Sequence, residues 1–290
     1  MSIKAPNEGV YFNFLNSLRS VKDGLRHPII MGVLNLTPDS FSDGGQFSSV
    51  DQAIARAQLL IQEGADIIDI GAESTRPGSS PVSLSEENAR LMPVLERLQF
   101  MNIPFSVDTS KPEVMQAAVS SGAVMLNDIN GFQAPGALEL CAQLQTKTPF
   151  LMCIMHMQNQ PINMQEQPAY VDCETEINLF FEQQIQRCSS LGISINQICL
   201  DPGFGFGKSD TNNWQLLQNL RSFHRPQTSL LVGLSRKSML GRLLDRPVDQ
   251  RLAASIGAAL ASAANGAHII RVHDVQATSD ALKVFYRSTP

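Results

Sequence analysis

The sequence has few of the features that mark membrane, secreted or nucleic-acid-binding proteins. It contains no run of about 18 apolar residues, the length of a transmembrane helix, and its amino terminus lacks the basic-then-apolar layout of a signal peptide. Its 22 Lys and Arg residues are outnumbered by 27 Asp and Glu residues, for a formal net charge of -5 at pH 7. Because nucleic acids and anionic lipids attract clustered cations, neither is favoured as a partner. We therefore expect a cytoplasmic protein without a membrane or nucleic-acid partner.

Cysteine is scarce as well. The five cysteines are odd in number and scattered, and no C-x-x-C pair occurs, which argues against a disulfide framework and a zinc site. They are Cys141, Cys153, Cys173, Cys188 and Cys199. We expect reduced thiols that mostly pack within helices and strands.

Several catalytic motifs are also missing. There is no Walker A loop, no Ser-His-Asp order, no recognisable cysteine nucleophile and no G-x-G-x-x-G that opens a helix after a strand. The glycine run from Gly203 to Gly207 is too regular and too aromatic for a dinucleotide-binding loop. Catalysis by positioning and charge stabilisation therefore fits the sequence better than covalent catalysis.

Short apolar runs alternate with amphipathic stretches along nearly all of the 290 residues. Each run is apolar at successive positions, as expected of parallel strands that are buried on both faces. The runs are Ile29–Leu34, Asp66–Ile70, Ile103–Val107, Ala123–Leu126, Phe150–Met155, Ile198–Leu200, Leu230–Leu234 and Ala267–Val272. Eight strand–helix units favour a (β/α)8 TIM barrel over an open doubly wound sheet, an alternative that this rhythm separates poorly.

The helical stretches have recognisable ends. Apolar residues repeat at steps of three and four before Gly64 and before Gly266, which are both predicted helix stops, and Asp274 is a predicted N-cap for the last helix. A barrel of about 250 residues forms one domain. We predict an amino-terminal extension over residues 1–28, to which no role is assigned, and a single barrel domain over residues 29–290.

The carboxyl ends of the predicted strands carry polar loops, and barrel enzymes place their active sites there. The first strand continues through Asn35 into a stretch rich in Gly, Ser and Asp that ends at Gly45. We interpret it as a mobile lid for a metal–phosphate complex; the alternative is a solvated connection with an Asx turn at Asp43. The second strand leads to Arg76, whose guanidinium can bind an anionic partner, although a surface position is equally compatible.

Acidic and amide side chains follow three further strands. Asp108, the pair Asn127 and Asp128, and Asp201 each come at the end of an apolar run. Burial of such a group is costly unless it is paired, so each needs a hydrogen-bond partner. For any one of them an intramolecular partner is the more common explanation. Several around one rim favour a flat, nitrogen-rich ligand read along its donor and acceptor edge.

Cationic residues follow the last two strands. Arg271 and His273 should point to the same side of the eighth strand, because strand side chains alternate, and could hold a phosphate group. A packed histidine is the competing interpretation for His273. His156 is a weaker candidate, and the other histidines are expected to be structural or exposed.

These loops resemble the diagnostic blocks of the dihydropteroate synthase family, in the same order over about residues 29 to 275. The blocks begin at Asn35 with NLTPDSFSDGG, at Glu73 with ESTRPG, at Asp201 with DPGFGFGK, at Ser235 with SRKS and at Arg271 with RVHDV. One such block could arise by chance, whereas five in order are highly specific.

The resemblance implies a homodimeric transferase of folate biosynthesis. Such an enzyme condenses 6-hydroxymethyl-7,8-dihydropterin diphosphate with 4-aminobenzoate to give 7,8-dihydropteroate and diphosphate, uses Mg²⁺, and is a sulfonamide target. Its expected partners are these two small-molecule substrates. The substitution would be dissociative and SN1-like, with no enzyme nucleophile.

The resemblance also implies residue roles. The catalytic residues would be Asp108, Lys237, Arg271 and His273. The pterin site would consist of Asp108, Asn127, Met155, Asp201, Gly233, Lys237 and Arg271. The diphosphate site would consist of Asn35, Arg271 and His273, with Asn35 also binding the metal. The aminobenzoate site would consist of Thr75, Arg76, Pro77, Phe206 and Ser238.

Two alternatives remain open at this point. A methyltetrahydrofolate-type pterin-binding methyltransferase would share the ring-reading Asp and Asn residues but would not need a diphosphate site. A catalytically idle pterin-binding protein would bind the ring without turnover.

Overall fold

The computed structural model of the protein describes residues 8–37, 46–74, 79–159 and 169–288. Eight parallel strands form a closed barrel in which each strand pairs with its neighbours in chain order and β1 pairs with β8. The strands are β1 (Ile29–Asn35), β2 (Ile67–Gly71), β3 (Phe105–Asp108), β4 (Met125–Asp128), β5 (Leu151–Met155), β6 (Ile198–Asp201), β7 (Ser229–Val232) and β8 (Ile269–Val272). The predicted TIM barrel is confirmed, and each apolar run in the sequence overlaps one strand, several of which begin or end one or two residues outside the run.

Helices follow the strands and surround the barrel. They are α1 (Glu8–Lys22), α2 (Gln46–Gln62), α3 (Leu84–Phe100), α4 (Pro112–Ser120), α5 (Ala137–Gln145), α6 (Cys173–Ser190), α7 (Asp210–Gln218), α8 (Ser238–Leu244), α9 (Leu252–Ala264) and α10 (Val275–Ser288). Local sequence explains several helix starts: Ser83 and Asp172 accept hydrogen bonds from backbone N–H groups in the first turns of α3 and α6. Pro112 supplies a favourable first residue for α4.

Strand residues alternate between two environments. Along β1, Ile30 and Leu34 pack outward against the helices, whereas Ile29 and Met31 point into the barrel. Gly32 lies on the outward face, where an added Cβ would be 3.1 Å from Val275 Cγ2 of α10. Both faces of the strands are therefore buried, which explains why the sequence runs are apolar at successive positions.

Helix α1 closes the amino-terminal end of the barrel. Its side chains Tyr11, Phe14, Leu18 and Val21 are buried in one cluster with Ile29, Ile67, Leu151, Ile269 and other residues near the starts of the strands. Burial raises the pKa of Tyr11 to about 12, against a smaller opposite effect of its hydrogen bond with Gln197. The predicted extension thus contributes to the barrel core, and the opposite, carboxyl end is where the polar loops lie.

Two further expectations concern the cysteines and the helix ends. All five cysteines are unpaired and buried within helices or strands, as predicted. Gly64 and Gly266 follow α2 and α9 with positive φ angles, and Asp274 immediately precedes α10, although its carboxylate pairs with Arg236. Within the described ranges, no helix is long and apolar enough to cross a membrane.

Candidate functional site

The predicted site residues that the structure describes lie at the carboxyl end of the barrel. Asn35, Asp108, Met155 and Asp201 are the last residues of four strands, and Asn127 is the penultimate residue of β4. Arg271 is the penultimate residue of β8, with His273 just beyond it, while Gly233 follows β7 and Phe206 lies in the loop after β6. Lys237 and Ser238 mark the start of α8. These residues come together because parallel strands end at one rim.

A buried carboxylate at the centre of this group, Asp69 of β2, was missed by the sequence analysis. Its Oδ2 atom accepts hydrogen bonds from Arg271 Nε at 2.6 Å and from Asn127 Nδ2 at 3.2 Å, and the residue has no solvent exposure. The available signal was an aspartate inside the apolar sequence Ile67-Ile68-Asp69-Ile70. The sequence motifs lie at or after strand ends, whereas Asp69 lies in the middle of β2.

Asp108 lies beside this ion pair. The Arg271 guanidinium is 3.4 Å from Asp108 Oδ2, a longer contact than its contact with Asp69. Burial, with repulsion from Asp69, raises the pKa of Asp108 to about 7 against the opposing effect of Arg271. Burial lowers the pKa of Arg271, but attraction to Asp69 and Asp108 outweighs it, and the guanidinium stays charged. Proton occupancy of Asp108 therefore responds to changes around neutral pH.

Asp201 ends β6 and begins the glycine-rich loop. Its Oδ1 atom accepts a hydrogen bond from the backbone N–H of Gly203 at 2.7 Å, which fixes the carboxylate at the barrel rim. Burial raises the pKa of Asp201 to about 6, although this N–H group and the nearby lysines lower it. At pH 7 the carboxylate is mostly ionised and can accept hydrogen bonds from a ligand.

The glycine-rich loop is packed around a buried lysine. The Lys208 ammonium donates to the carbonyl oxygens of Gly203 and Phe206, each at 3.0 Å, and of His156 at 3.1 Å. Burial lowers the pKa of Lys208 to about 7, and burial together with Lys208 lowers the pKa of His156 to about 3, so His156 is neutral and serves as an acceptor. Gly203 has φ +70°, and an added Cβ would be 2.0 Å from the His156 carbonyl oxygen. His156 thus anchors the loop.

This loop places an aromatic ring beneath Lys237. The Lys237 ammonium lies 4.0 Å from the centre of the Phe206 ring, a cation–π distance. Burial and the Arg271 charge lower the pKa of Lys237 to about 8, with Asp201 acting in the opposite direction. The side chain is thus a charged donor at neutral pH, close to both Asp201 and Asp108.

His273 is neutral in this environment, which changes its expected role as a cation. Burial, Arg271 and Arg236 lower its pKa to about 4. Ser235 Oγ accepts from the His273 backbone N–H at 3.2 Å and lies 3.0 Å from Nδ1, to which its hydroxyl can donate. That arrangement leaves the ring proton on Nε2, so neutral His273 can still donate one hydrogen bond to an anion.

Other polar groups near the rim have structural partners. Asp128 accepts from the backbone N–H groups of Asn130 and Phe132, as the intramolecular alternative proposed. Lys111, after β3, forms ion pairs with Glu73, after β2, and with Glu87, which is buried in α3. These contacts tie the starts of two rim loops to the helix layer.

Some predicted site residues are not covered. The interpretation of residues Pro38 to Gly45 as a lid, and the roles of Thr75, Arg76 and Pro77, fall outside the described residues.

Comparison with known proteins gives the family. A family model described as "Pterin binding enzyme" matches residues 31–273. The dihydropteroate synthase of Escherichia coli (strain K12) is 49% identical over 261 residues, which cover 90% of this chain and 91% of that protein. The chain belongs to the dihydropteroate synthase family.

Solved structures of this family share the whole barrel. The Yersinia pestis dihydropteroate synthase with a sulfonamide drug complex aligns with a TM-score of 0.84 at 49% identity. The alignment covers 90% of this chain and 94% of the Yersinia pestis chain. The Burkholderia cenocepacia dihydropteroate synthase complexed with 7,8-dihydropteroate has a TM-score of 0.81 at 44% identity, with coverages of 90% and 91%. The family resemblance read from the loop motifs is thus confirmed, and the protein is a transferase of this synthase type rather than a methyltransferase.

Proposed function

We propose that this member of the dihydropteroate synthase family condenses 6-hydroxymethyl-7,8-dihydropterin diphosphate with 4-aminobenzoate, giving 7,8-dihydropteroate and diphosphate. The observation that carries the proposal is the buried set at the barrel mouth. The acceptors Asp108, Asn127 and Asp201 face the donors Lys237 and Arg271 within one rim. A pterin ring has a matching edge of N–H donors and a carbonyl acceptor.

The pterin end of the substrate would bind the part of this set that consists of Asp201, Asn127 and Lys237. Ionised Asp201 and the Asn127 amide oxygen would accept hydrogen bonds from ring N–H groups, while Lys237 would donate to the ring carbonyl. Met155 and Gly233 would line the flat slot. Gly233 suits this position because an added Cβ would lie 3.7 Å from Arg271 Cβ and would fill space beside the guanidinium.

The diphosphate would bind beside the pterin, against Arg271, His273 and Asn35. Arg271 supplies a positive charge, and the neutral His273 ring supplies one N–H donor. Loops after the seventh and eighth strands often form the phosphate site of a TIM barrel, and His273 and its partner Ser235 come from these two loops.

The proposed substitution requires no covalent bond to the protein. The bond between the methylene carbon and the diphosphate oxygen breaks, and the electron pair leaves with the diphosphate. The resulting cation is delocalised over the ring, where ionised Asp108 would stabilise it. The neutral amine of aminobenzoate then donates its electron pair to the methylene carbon and loses a proton to solvent.

Mg²⁺ is a further proposal. This ion prefers oxygen ligands and often binds one or two protein groups together with substrate phosphates. The Asn35 side chain, half-buried at the end of β1, offers an amide oxygen at the rim and fits such a site. When bound, the ion would offset negative charge on the diphosphate.

Aminobenzoate would bind on the outer side of the pterin. Phe206 and Ser238 flank Lys237 on this side, and we propose Thr75, Arg76 and Pro77 as the remaining members of the site. Sulfonamides carry a similar ring and amine, so the same residues would bind them.

The reaction can be tested directly with purified protein and both substrates. We expect stoichiometric formation of dihydropteroate and diphosphate, and no diphosphate release beyond the slow uncatalysed rate in a control without protein. A methyl-transferring enzyme would release no diphosphate. Binding of the pterin without any turnover would instead support the idle pterin-binding alternative and reject the proposed activity.

The protein is further proposed to be a homodimer. Leu243 and Leu244 at the end of α8, with Val248 and Leu252 after it, are between 46% and 62% exposed, so this stretch of chain places four apolar side chains on the surface. A second copy of the chain is the proposed occupant, since a dimer related by two-fold symmetry would bury this stretch twice.

Light scattering tests the dimer. The unchanged protein should have twice the monomer mass, and Leu243→Glu with Leu252→Glu should yield monomers. Val284→Glu, which alters an exposed side chain of α10, is the matched control and should remain dimeric. A monomeric unchanged protein at micromolar concentration contradicts the proposal.

A cytoplasmic location is also proposed. It is supported by the five unpaired thiols, which fit a reducing compartment.

A further inference from the structure

Asp69 connects two site residues that the sheet itself does not bring into contact. Arg271 lies on β8 and Asn127 on β4, and the strands β1 and β3 separate them from β2. Both hydrogen bonds therefore cross the interior of the barrel. In TIM barrels, side chains from alternate strands fill one interior layer, and strands 2, 4 and 8 belong to the same alternate set. Asp69 is the acceptor at which Arg271 and Asn127 meet within that layer.

These contacts constrain the geometry of both partners. Arg271 uses its Nε–H group at 2.6 Å, so the guanidinium plane is fixed while its terminal nitrogens extend toward Asp108 and the rim. Asn127 donates through Nδ2 at 3.2 Å, which orients the amide and leaves Oδ1 as the group presented elsewhere. Without this acceptor, either end of the amide could face a ligand.

We propose that Asp69 is a positioning residue, which aligns Arg271 and Asn127 so that the site accepts one edge of the pterin ring. The inference rests on the proposed function and adds a residue to which the family motifs assign no role. Asp69 need not contact substrate. Its Oδ1 atom is buried and has no hydrogen-bond partner among the described residues, so the side-chain hydrogen bonds that the carboxylate accepts there are those from Arg271 and Asn127.

Asp69 also acts on Asp108 through charge. The charged groups that act on Asp108 are Asp69, Arg271, Asp128, Glu87 and Lys237. Asp69 repels the ionised form of Asp108 and also draws Arg271 toward itself, and both effects raise the pKa of Asp108. Removing the Asp69 charge should therefore lower that pKa.

A purely structural ion pair on the same strand segment provides the control. Asp66, just before β2, accepts from Arg26 at 2.8 Å and from the Ile30 N–H at 2.8 Å, at the opposite end of the barrel. Asp66→Asn should reduce thermal stability without changing ligand binding.

The decisive experiment compares Asp69→Asn with Asp66→Asn. Calorimetry with 6-hydroxymethyl-7,8-dihydropterin should show at least about a tenfold loss of affinity for Asp69→Asn. The substitution weakens the hydrogen bonds that Arg271 and Asn127 donate to a charged carboxylate, and both side chains then lose their fixed orientation toward the ring. The KM for aminobenzoate should change by less than about threefold, since its contacts are not altered. The acid limb of kcat/KM against pH should move to lower pH, as the lower pKa of Asp108 requires.

Unchanged pterin affinity and an unchanged pH profile in a folded Asp69→Asn protein would overturn the proposal. If this variant does not fold, NMR of the unchanged protein gives the answer: the Arg271 Nε–H signal, assigned by its loss in Arg271→Lys, should exchange slowly with and without pterin. Fast exchange in the folded protein would contradict a fixed Arg271. The binding measurement needs no turnover, so lack of diphosphate release would count against the proposed activity alone.

Discussion

Asp201→Asn is expected to weaken pterin binding by at least about 100-fold, because hydrogen bonds to a charged acceptor contribute about 1.5–3 kcal/mol each. The carboxylate is fixed through Oδ1 by the Gly203 N–H at 2.7 Å. An amide in its place offers one oxygen acceptor and an NH2 group that donates and cannot accept, and this group would face a ring donor or the Gly203 N–H. Calorimetry with 6-hydroxymethyl-7,8-dihydropterin measures the effect.

Asp210→Asn is the matched control for this change. Asp210 forms an exposed ion pair with Arg242 at the start of α7, outside the barrel mouth, and its substitution should leave pterin affinity unchanged. Affinity of the unchanged protein should also fall as the pH drops through about 6, because protonation of Asp201 removes an acceptor. The Asp201→Asn variant should lack this component. Affinity within about threefold of normal would reject the assignment of Asp201 as a ring acceptor.

Arg271→Ala is expected to lower kcat/KM by about 10²- to 10³-fold, the usual effect of removing one group that stabilises transition-state charge. The substitution should also weaken the effect of bound diphosphate on the second-substrate pocket. In the unchanged protein, Mg²⁺ with diphosphate should tighten binding of a labelled sulfonamide, since the occupied anion site completes the pocket for the second substrate. In Arg271→Ala this enhancement should disappear.

The control for Arg271 is Arg97→Ala on α3, which breaks an exposed ion pair with Asp51 and should alter neither rate nor enhancement. Circular dichroism must accompany the experiment, because Arg271→Ala removes the ion-pair partner of the buried Asp69 carboxylate and should reduce stability. If the protein without substitutions binds the sulfonamide with the same affinity in the presence and absence of diphosphate, then the proposed anion site does not organise the aminobenzoate pocket.

The barrel could be predicted from the sequence because its strands are buried on both faces. Such strands appear as short apolar runs, and the loops that follow them in this fold meet at one rim. Asp108, Asn127, Asp201 and Arg271 were recognisable for that reason, each being a polar residue at or beside the end of such a run. The family motifs added residue roles that the runs alone do not carry.

Other features depended on contacts between distant segments. Asp69 lies inside an apolar run, and its importance comes from Arg271, 202 residues away in the sequence. His273 was expected to be a cation, but burial and the neighbouring Arg271 and Arg236 charges keep its ring neutral. The position of α1 across the amino-terminal end of the barrel likewise depends on its packing against the starts of the strands. No motif within the helix indicates it.

The sequence by itself determined where the strands lie along the chain, several helix ends and the chemical types of residue available at the rim, because these depend on local apolar periodicity and on short motifs. The tertiary structure decided which of these groups are paired and which are available to a ligand. It set the protonation of Asp108, His273 and Lys208, since desolvation and neighbouring charges depend on three-dimensional distance. It also placed Asp69 between Arg271 and Asn127, a contact that exists only once the barrel closes.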